Sequence, residues 1–135
     1  DYQPGTPRAL PMWLRAALAG EPVPYHWRGR QKRDYIYVDD VVHALLLAAK
    51  RARGFRVYNI GSGTGVWMIE MLKKVEKILG KRLTLRDMGG RPGDPKYAIA
   101  DTRKIQQELG WKPRVSLEEG LRKTIAYYRS IYRCE

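Results

Sequence analysis

An α/β fold is predicted by three features of the sequence: β-rich runs alternate with helical patterns, glycines close most of those patterns, and only short strands separate about five helices. The first helix runs from Pro11 to Ala19, with proline tolerated in its opening turn and Gly20 placed to end it. Val23 to Trp27 is a short strand, and Tyr35-Ile36-Tyr37-Val38 is a second. Asp39 or Asp40 caps the next helix. There Val41, Val42, Leu45, Leu46 and Ala49 recur at three and four, and Lys50, Arg51 and Arg53 suit a helix C-terminus. Phe55 to Ile60 alternates as a third strand and meets Gly61-Ser62-Gly63-Thr64-Gly65. A third helix carries Met68, Ile69, Leu72, Val75 and Leu79, and Leu83-Thr84-Leu85 is the fourth strand. Asp87 to Pro95, rich in glycine and proline, is a loop. Asp101 caps a short helix holding Ile105 and Leu109. The last helix opens on a capping box, Ser116-Leu117-Glu118-Glu119, and its apolar stripe is Leu117, Leu121, Ile125, Tyr128 and Tyr132. Four short strands are few for a self-sufficient doubly wound sheet.

Composition narrows the function classes. A length of 135 residues is that of one domain, so 1–135 is read as a single unit. An apolar fraction of 44% is enough to bury a core and argues against disorder. The longest apolar run, Ala44 to Ala49, is six residues, far short of the roughly 18 that cross a membrane. Asp1, Pro4 and Pro7 break the basic-then-apolar order of a signal peptide, and the lone Cys134 permits no internal disulfide. A cytoplasmic protein is the expectation. The 26 Lys and Arg against 14 Asp and Glu give a formal charge of +12. Such an excess attracts polyanions and says nothing of fold. It leaves open a nucleic acid, a phosphorylated small molecule, or an acidic counterpart elsewhere.

Each chemical motif has a plain alternative. Gly61-Ser62-Gly63-Thr64-Gly65 follows a strand and leads a helix, and Asp87 lies at a plausible distance for a ribose-binding acid. The dinucleotide spacing fails, because the third glycine of G-x-G-x-x-G would stand at Val66. Trp67 also crowds the place of a phosphate, so a tight strand-to-helix turn is preferred. Arg28 to Arg33 sets four cations in six residues, either a solvated loop or a diphosphate site built on guanidinium forks. Arg91-Pro92-Gly93-Asp94 pairs a second arginine with a carboxylate; alone it is an ordinary turn. His26 and His43 lack an acid–base partner at readable spacing. Tyr37, Tyr127, Tyr128 and Tyr132 lack a lysine four residues on, and no H-E-x-x-H, paired-Cys, G-x-S-x-G or P-loop motif is present.

Five segments in order resemble the nucleotide-sugar epimerases and dehydratases of the extended short-chain dehydrogenase/reductase family. Arg33-Asp34-Tyr35-Ile36-Tyr37-Val38-Asp39-Asp40-Val41 is similar to its "RDFxYVDDV" segment, and Tyr58-Asn59-Ile60-Gly61-Ser62-Gly63 to its "YNIGSG" turn. Arg91-Pro92-Gly93-Asp94 resembles "RPGD", Leu109-Gly110-Trp111-Lys112-Pro113 "LGWxP", and Leu117-Glu118-Glu119-Gly120-Leu121 the closing "LEEGL". Tyr2-Gln3-Pro4 stands where the family has "YGP".

The resemblance implies the C-terminal substrate-binding portion of such an enzyme, a small sheet with about five helices. The Rossmann half that carries NAD(P), with its Tyr-x-x-x-Lys pair, would lie outside the chain. No catalytic residue and no cofactor ligand is then expected here. Arg33 and Arg91 would contact the diphosphate and ribose of a nucleotide sugar. Asp94 would contact a ribose hydroxyl or Arg91, and Gln31 would line the same cleft. UDP-sugar 4-epimerase is the leading activity, in which NAD takes hydride to give a 4-keto sugar and returns it to the opposite face.

The missing half, or a second copy, should cover a leftover apolar face that includes Trp13, Trp27 or Trp67. Three departures stand out. Trp27-Arg28-Gly29 replaces Gly-Asp-Gly, Gln3 replaces glycine, and Trp67 replaces a capping serine worth about 1 kcal/mol. They favour, as one rival, a stand-alone binding protein without catalysis. The other rival, a nucleic-acid binder, has the charge in its favour but no helix-turn-helix, zinc finger or aromatic RNA motif.

Overall fold

The structure, a computed structural model, describes residues 8–90 and 92–132. Its order is α1 (Ala9–Ala19), β1 (Val23–Tyr25), a 3-10 turn (Trp27–Gly29), β2 (Lys32–Asp34), α2 (Val38–Arg51), β3 (Gly65–Trp67), α3 (Met68–Leu79), β4 (Leu85–Asp87), β5 (Tyr97–Ala98), α4 (Arg103–Leu109) and α5 (Leu117–Ile131). The α/β class and the five helices stand as the sequence predicts. The sheets are small: β1 pairs with β4 in parallel, and β2 lies between antiparallel β3 and parallel β5.

Two apolar cores hold these elements. The larger joins Trp13, Leu14 and Ala17 of α1, Val23 of β1, Met71, Leu72 and Val75 of α3, and Leu121 and Ile125 of α5. The indole N–H of buried Trp13 donates to the Pro24 carbonyl at 2.8 Å, which satisfies the polar handle of a fully enclosed ring. The smaller core joins Ala44 of α2, Ile105 and Leu109 of α4, and Trp111. It closes on Asp40, which is 2% exposed. The Asp40 carboxylate accepts from the Arg114 and Val115 amides at 2.9 and 3.0 Å, and its carbonyl accepts from the Trp111 indole at 3.1 Å. The backbone donors satisfy a buried charge that has no cation beside it in these bonds.

The strands differ from expectation in instructive ways. The run Tyr35 to Val38 is not a strand; the pairing falls on Lys32–Asp34, just before it. Beyond Asp34 the chain divides between the cores, with Tyr35 packed against the larger and Ile36 against the smaller. Tyr37 lies under Gly120 of α5, where an added Cβ would come within 3.1 Å of the ring. Phe55 to Ile60 is not assigned to any sheet among the described residues and bonds instead to α4, where Tyr58 donates to Glu108 at 2.8 Å and Lys104 to the Val57 carbonyl at 2.9 Å. β3 and β5, by contrast, are too short to show a period in the sequence. Asp39 and Asp40 lie inside the first turn of α2 and do not cap it; Tyr37 is the flanking residue. In α5, Ser116 accepts from the Glu119 amide at 3.2 Å, whereas the Glu119 carboxylate pairs with Lys123. Only half of the capping box forms.

Candidate functional site

A cleft of about 620 Å³ is lined by Trp27, Arg28, Arg30, Gln31, Asp87, Gly89, Gly90, Asp94 and Lys96. Its position follows from the two parallel pairings. Because β1 runs beside β4 and β2 beside β5, the connections 26–31 and 88–96 travel side by side from one sheet to the other. The Met88 amide donates to the Tyr25 carbonyl, Trp27 to Gly89, and Lys32 to Lys96, at 2.8, 3.0 and 2.8 Å. The two loops predicted to converge on one anion therefore do lie together.

Three of the predicted residues form one unit. The Asp94 carboxylate accepts from Gln31 Nε2 at 2.6 Å and from an Arg33 guanidinium nitrogen at 2.7 Å. Gln31 is 3% exposed, and alternation along β2 sends Gln31 and Arg33 to the same face. Of its five N–H donors, Arg33 also gives one to the Lys32 carbonyl at 3.1 Å. Burial raises the phenol pKa of neighbouring Tyr35, and the Arg33 charge opposes that rise. Arg91 lies outside the described residues. Asp87 faces Arg28 at 3.7 Å. Arg30 and Lys96 line the cleft with no ion-pair partner among the described residues. Two unmatched cations beside two balanced pairs make the cleft electropositive, which favours an anion.

The Gly61-Ser62-Gly63 turn has an occupant from the chain itself. The Asp34 carboxylate accepts from the Ser62 amide at 2.8 Å, the Gly63 amide at 3.0 Å, the Ala100 amide at 3.2 Å and the Ser62 hydroxyl. A Cβ on Gly61 would fall 2.5 Å from that carboxylate and 2.6 Å from Ala100. The glycines allow this close approach, and the amides that would face a phosphate already hold Asp34. Asp87, the proposed ribose acid of this turn, instead lines the cleft.

Sequence reasoning passed over Lys96 and the role of Asp34. The signal for Lys96 was its place two residues beyond Asp94 in a basic loop; Asp34 sits beside Arg33 but points to the opposite side of the strand. Trp27 and Arg28 have φ of 54° and 50°, left-handed values that cost a bulky residue about 1–2 kcal/mol each. Gly29 follows at 70°, and a Cβ there would lie 2.6 Å from that of Ile69 in α3. Trp67 is the last residue of β3, packed against Tyr97 at 5.8 Å, with Lys32 over its ring. Its amide donates to Glu70 at 3.3 Å, but an indole offers no oxygen to cap α3 in return. Among the described residues no cluster of His, Cys, Asp and Glu fits a metal, and no helix is long and apolar enough to cross a membrane.

The chain is similar to known proteins along nearly its whole length. The family model for GDP-mannose 4,6 dehydratase matches residues 3–124. A dTDP-glucose 4,6-dehydratase of Salmonella typhimurium is 34% identical over 130 residues, covering 90% of this chain and 36% of the relative. UDP-glucose 4-epimerase from Thermotoga maritima, solved with UDP-glucose, is 38% identical with a TM-score of 0.85, over 95% of this chain and 41% of that one. UDP-glucuronic acid 4-epimerase from Bacillus cereus, in complex with UDP-glucuronic acid and NAD, is 29% identical with a TM-score of 0.87, over 93% and 40%. The chain thus spans well under half the length of each.

Proposed function

We propose a function on one premise: the chain belongs to the nucleotide-sugar epimerases and dehydratases of the extended short-chain dehydrogenase/reductase family. It is the nucleotide-sugar-binding portion of an NAD(P)-dependent enzyme. The observation that carries this reading is the Gln31–Asp94–Arg33 unit set beside the unmatched cations Arg30 and Lys96. Arg33 and Arg91 hold the diphosphate, Asp94 keeps the Arg33 fork aimed and meets the ribose, and Gln31 fixes Asp94. Anchoring the nucleotide in this way would serve the chemistry at a distant sugar carbon. The cofactor would supply hydride acceptance and belongs to the complete enzyme, as the NAD in the Bacillus epimerase supports.

For the activity of that enzyme we favour UDP-sugar 4-epimerase, on the strength of the two epimerase structures. The dehydratase relative supports dTDP-glucose 4,6-dehydratase as the second reading. Competition between UDP-glucose and dTDP-glucose for the cleft separates them. Tighter UDP-glucose binding is expected, and preference for dTDP-glucose would move the assignment to the dehydratase.

Of the three tryptophans expected on the partner face, Trp27 is exposed. Trp13 is fully buried and Trp67 is half-buried against Tyr97. The exposed apolar residues include Val38, Val42, Leu45 and Leu46, at helical spacing on α2, and Phe55 and Val57 in the segment that follows it. An apolar helix face of this kind suits a packing partner, and the family's Rossmann half is our proposed occupant. Produced alone, the chain should self-associate through this face at tens of micromolar, and Val42→Asp with Leu45→Asp should restore a monomer by light scattering. A monomeric parent, or a double variant that still associates, would contradict this surface.

A further inference from the structure

We propose that the Trp27 indole is the stacking wall for the nucleobase of the nucleoside diphosphate, an assignment that rests on the nucleotide-sugar reading above. Trp27 is held in a backbone conformation that glycine adopts freely and a bulky residue does not, and the resembled family has glycine there. The turn that carries the ring is nevertheless tied to the facing loop. The Trp27 amide donates to the Gly89 carbonyl at 3.0 Å, and His26 Nδ1 lies 3.3 Å from the same oxygen. The indole lies against Gly90, where an added Cβ would fall 3.2 Å from Cη2 and 3.3 Å from Cζ2. A side chain at Gly90 would push the ring outward by a few tenths of an ångström, so glycine lets the loop back it this closely.

Despite that backing, Trp27 remains 45% exposed and lines the cleft together with Arg28, Arg30 and Lys96. A flat, apolar surface next to cations without an ion-pair partner among the described residues fits a ligand that is planar and apolar at one end and anionic at the other. A nucleoside diphosphate has that form: the base stacks on the indole while its phosphates meet the cations. A sugar phosphate or free pyrophosphate would use the cations alone.

The test compares UDP with inorganic pyrophosphate by calorimetry on this chain and on two variants. Trp27→Gly removes the ring and suits the left-handed backbone, so its thermal midpoint should equal or exceed that of the parent. Trp27→Phe keeps a ring under the same backbone constraint. UDP affinity is expected to fall about tenfold or more in Trp27→Gly and less in Trp27→Phe, with pyrophosphate affinity unchanged. Three results would overturn the proposal. If Trp27→Gly binds UDP as well as the parent or better, the indole obstructs the cleft. If UDP and pyrophosphate weaken together, the ring shapes the cation site and does not stack a base. If the parent binds neither ligand, the nucleotide-sugar reading itself falls and this assignment falls with it.

Discussion

Trp111→Ala should lower stability by about 3–5 kcal/mol, the usual loss for a buried large aromatic. Trp111 is fully buried and is by far the largest member of a core whose other buried residues are Ala44, Ile105 and Leu109. Truncation would leave a cavity that three small or aliphatic neighbours cannot fill. It would also strand the Asp40 carbonyl, which accepts from the indole at 3.1 Å, on the residue that closes the 114–115 turn. Domains are stable by about 5–15 kcal/mol in all, so the loss is most or a large part of the total. Urea unfolding should show a much lower midpoint at unchanged slope. Trp111→Phe, which loses the hydrogen bond but keeps a ring, should fall between. A loss below about 1 kcal/mol for the alanine variant would mean that the second core is not closed in this way.

Arg33→Ala should weaken UDP binding by about 1.5–3 kcal/mol, the range for a hydrogen bond to a charged group. That corresponds to roughly a ten- to 150-fold rise in Kd. Arg33 meets the cleft through Asp94, one of its lining residues, with a 2.7 Å bond and a side chain 21% exposed, whereas Arg28 and Arg30 line the cleft themselves. Its removal takes a fork from the ligand and also frees Asp94, leaving a carboxylate that repels phosphate. Arg33→Lys keeps the charge without the planar fork and should recover only part of the affinity. Lys73→Ala, on an exposed position of α3, should leave Kd almost unchanged. Equal behaviour of the alanine variants at 33 and 73 would reduce the site to a diffuse positive field.

The helices were legible because each carries a 3.6-residue apolar stripe and most end on a glycine; Gly20, Gly80 and Gly110 do take the left-handed conformation at the ends of α1, α3 and α4. The strands were legible only in part. β1 lies within the predicted run Val23 to Trp27, and β4 begins at Leu85, the end of the predicted run. However, β2, β3 and β5 were missed, since two or three residues cannot display alternation. Phe55 to Ile60 shows the opposite failure: it alternates as a strand does, but pairing needs a neighbour, and none is assigned beside it among the described residues. The convergence of Gln31, Arg33 and Asp94 was legible only through the family resemblance, because 61 positions separate Arg33 from Asp94. Asp34 was hidden for a different reason. Its role lies in a turn 28 positions away, and nothing local distinguishes a carboxylate that fills a glycine turn from one exposed to water.

The charge of +12 admits two ligands, and one titration decides between them. UDP and a DNA duplex are titrated into the chain side by side at low and moderate salt. A diphosphate cleft should bind UDP at one site per chain, with affinity that changes modestly with salt, and should bind the duplex weakly. A nucleic-acid surface making six or more phosphate contacts would instead lose roughly 10³-fold in duplex affinity between about 50 and about 200 mM salt. Saturable UDP binding is the expected result. Binding of the duplex alone, with that steep salt dependence and no heat from UDP, would contradict it.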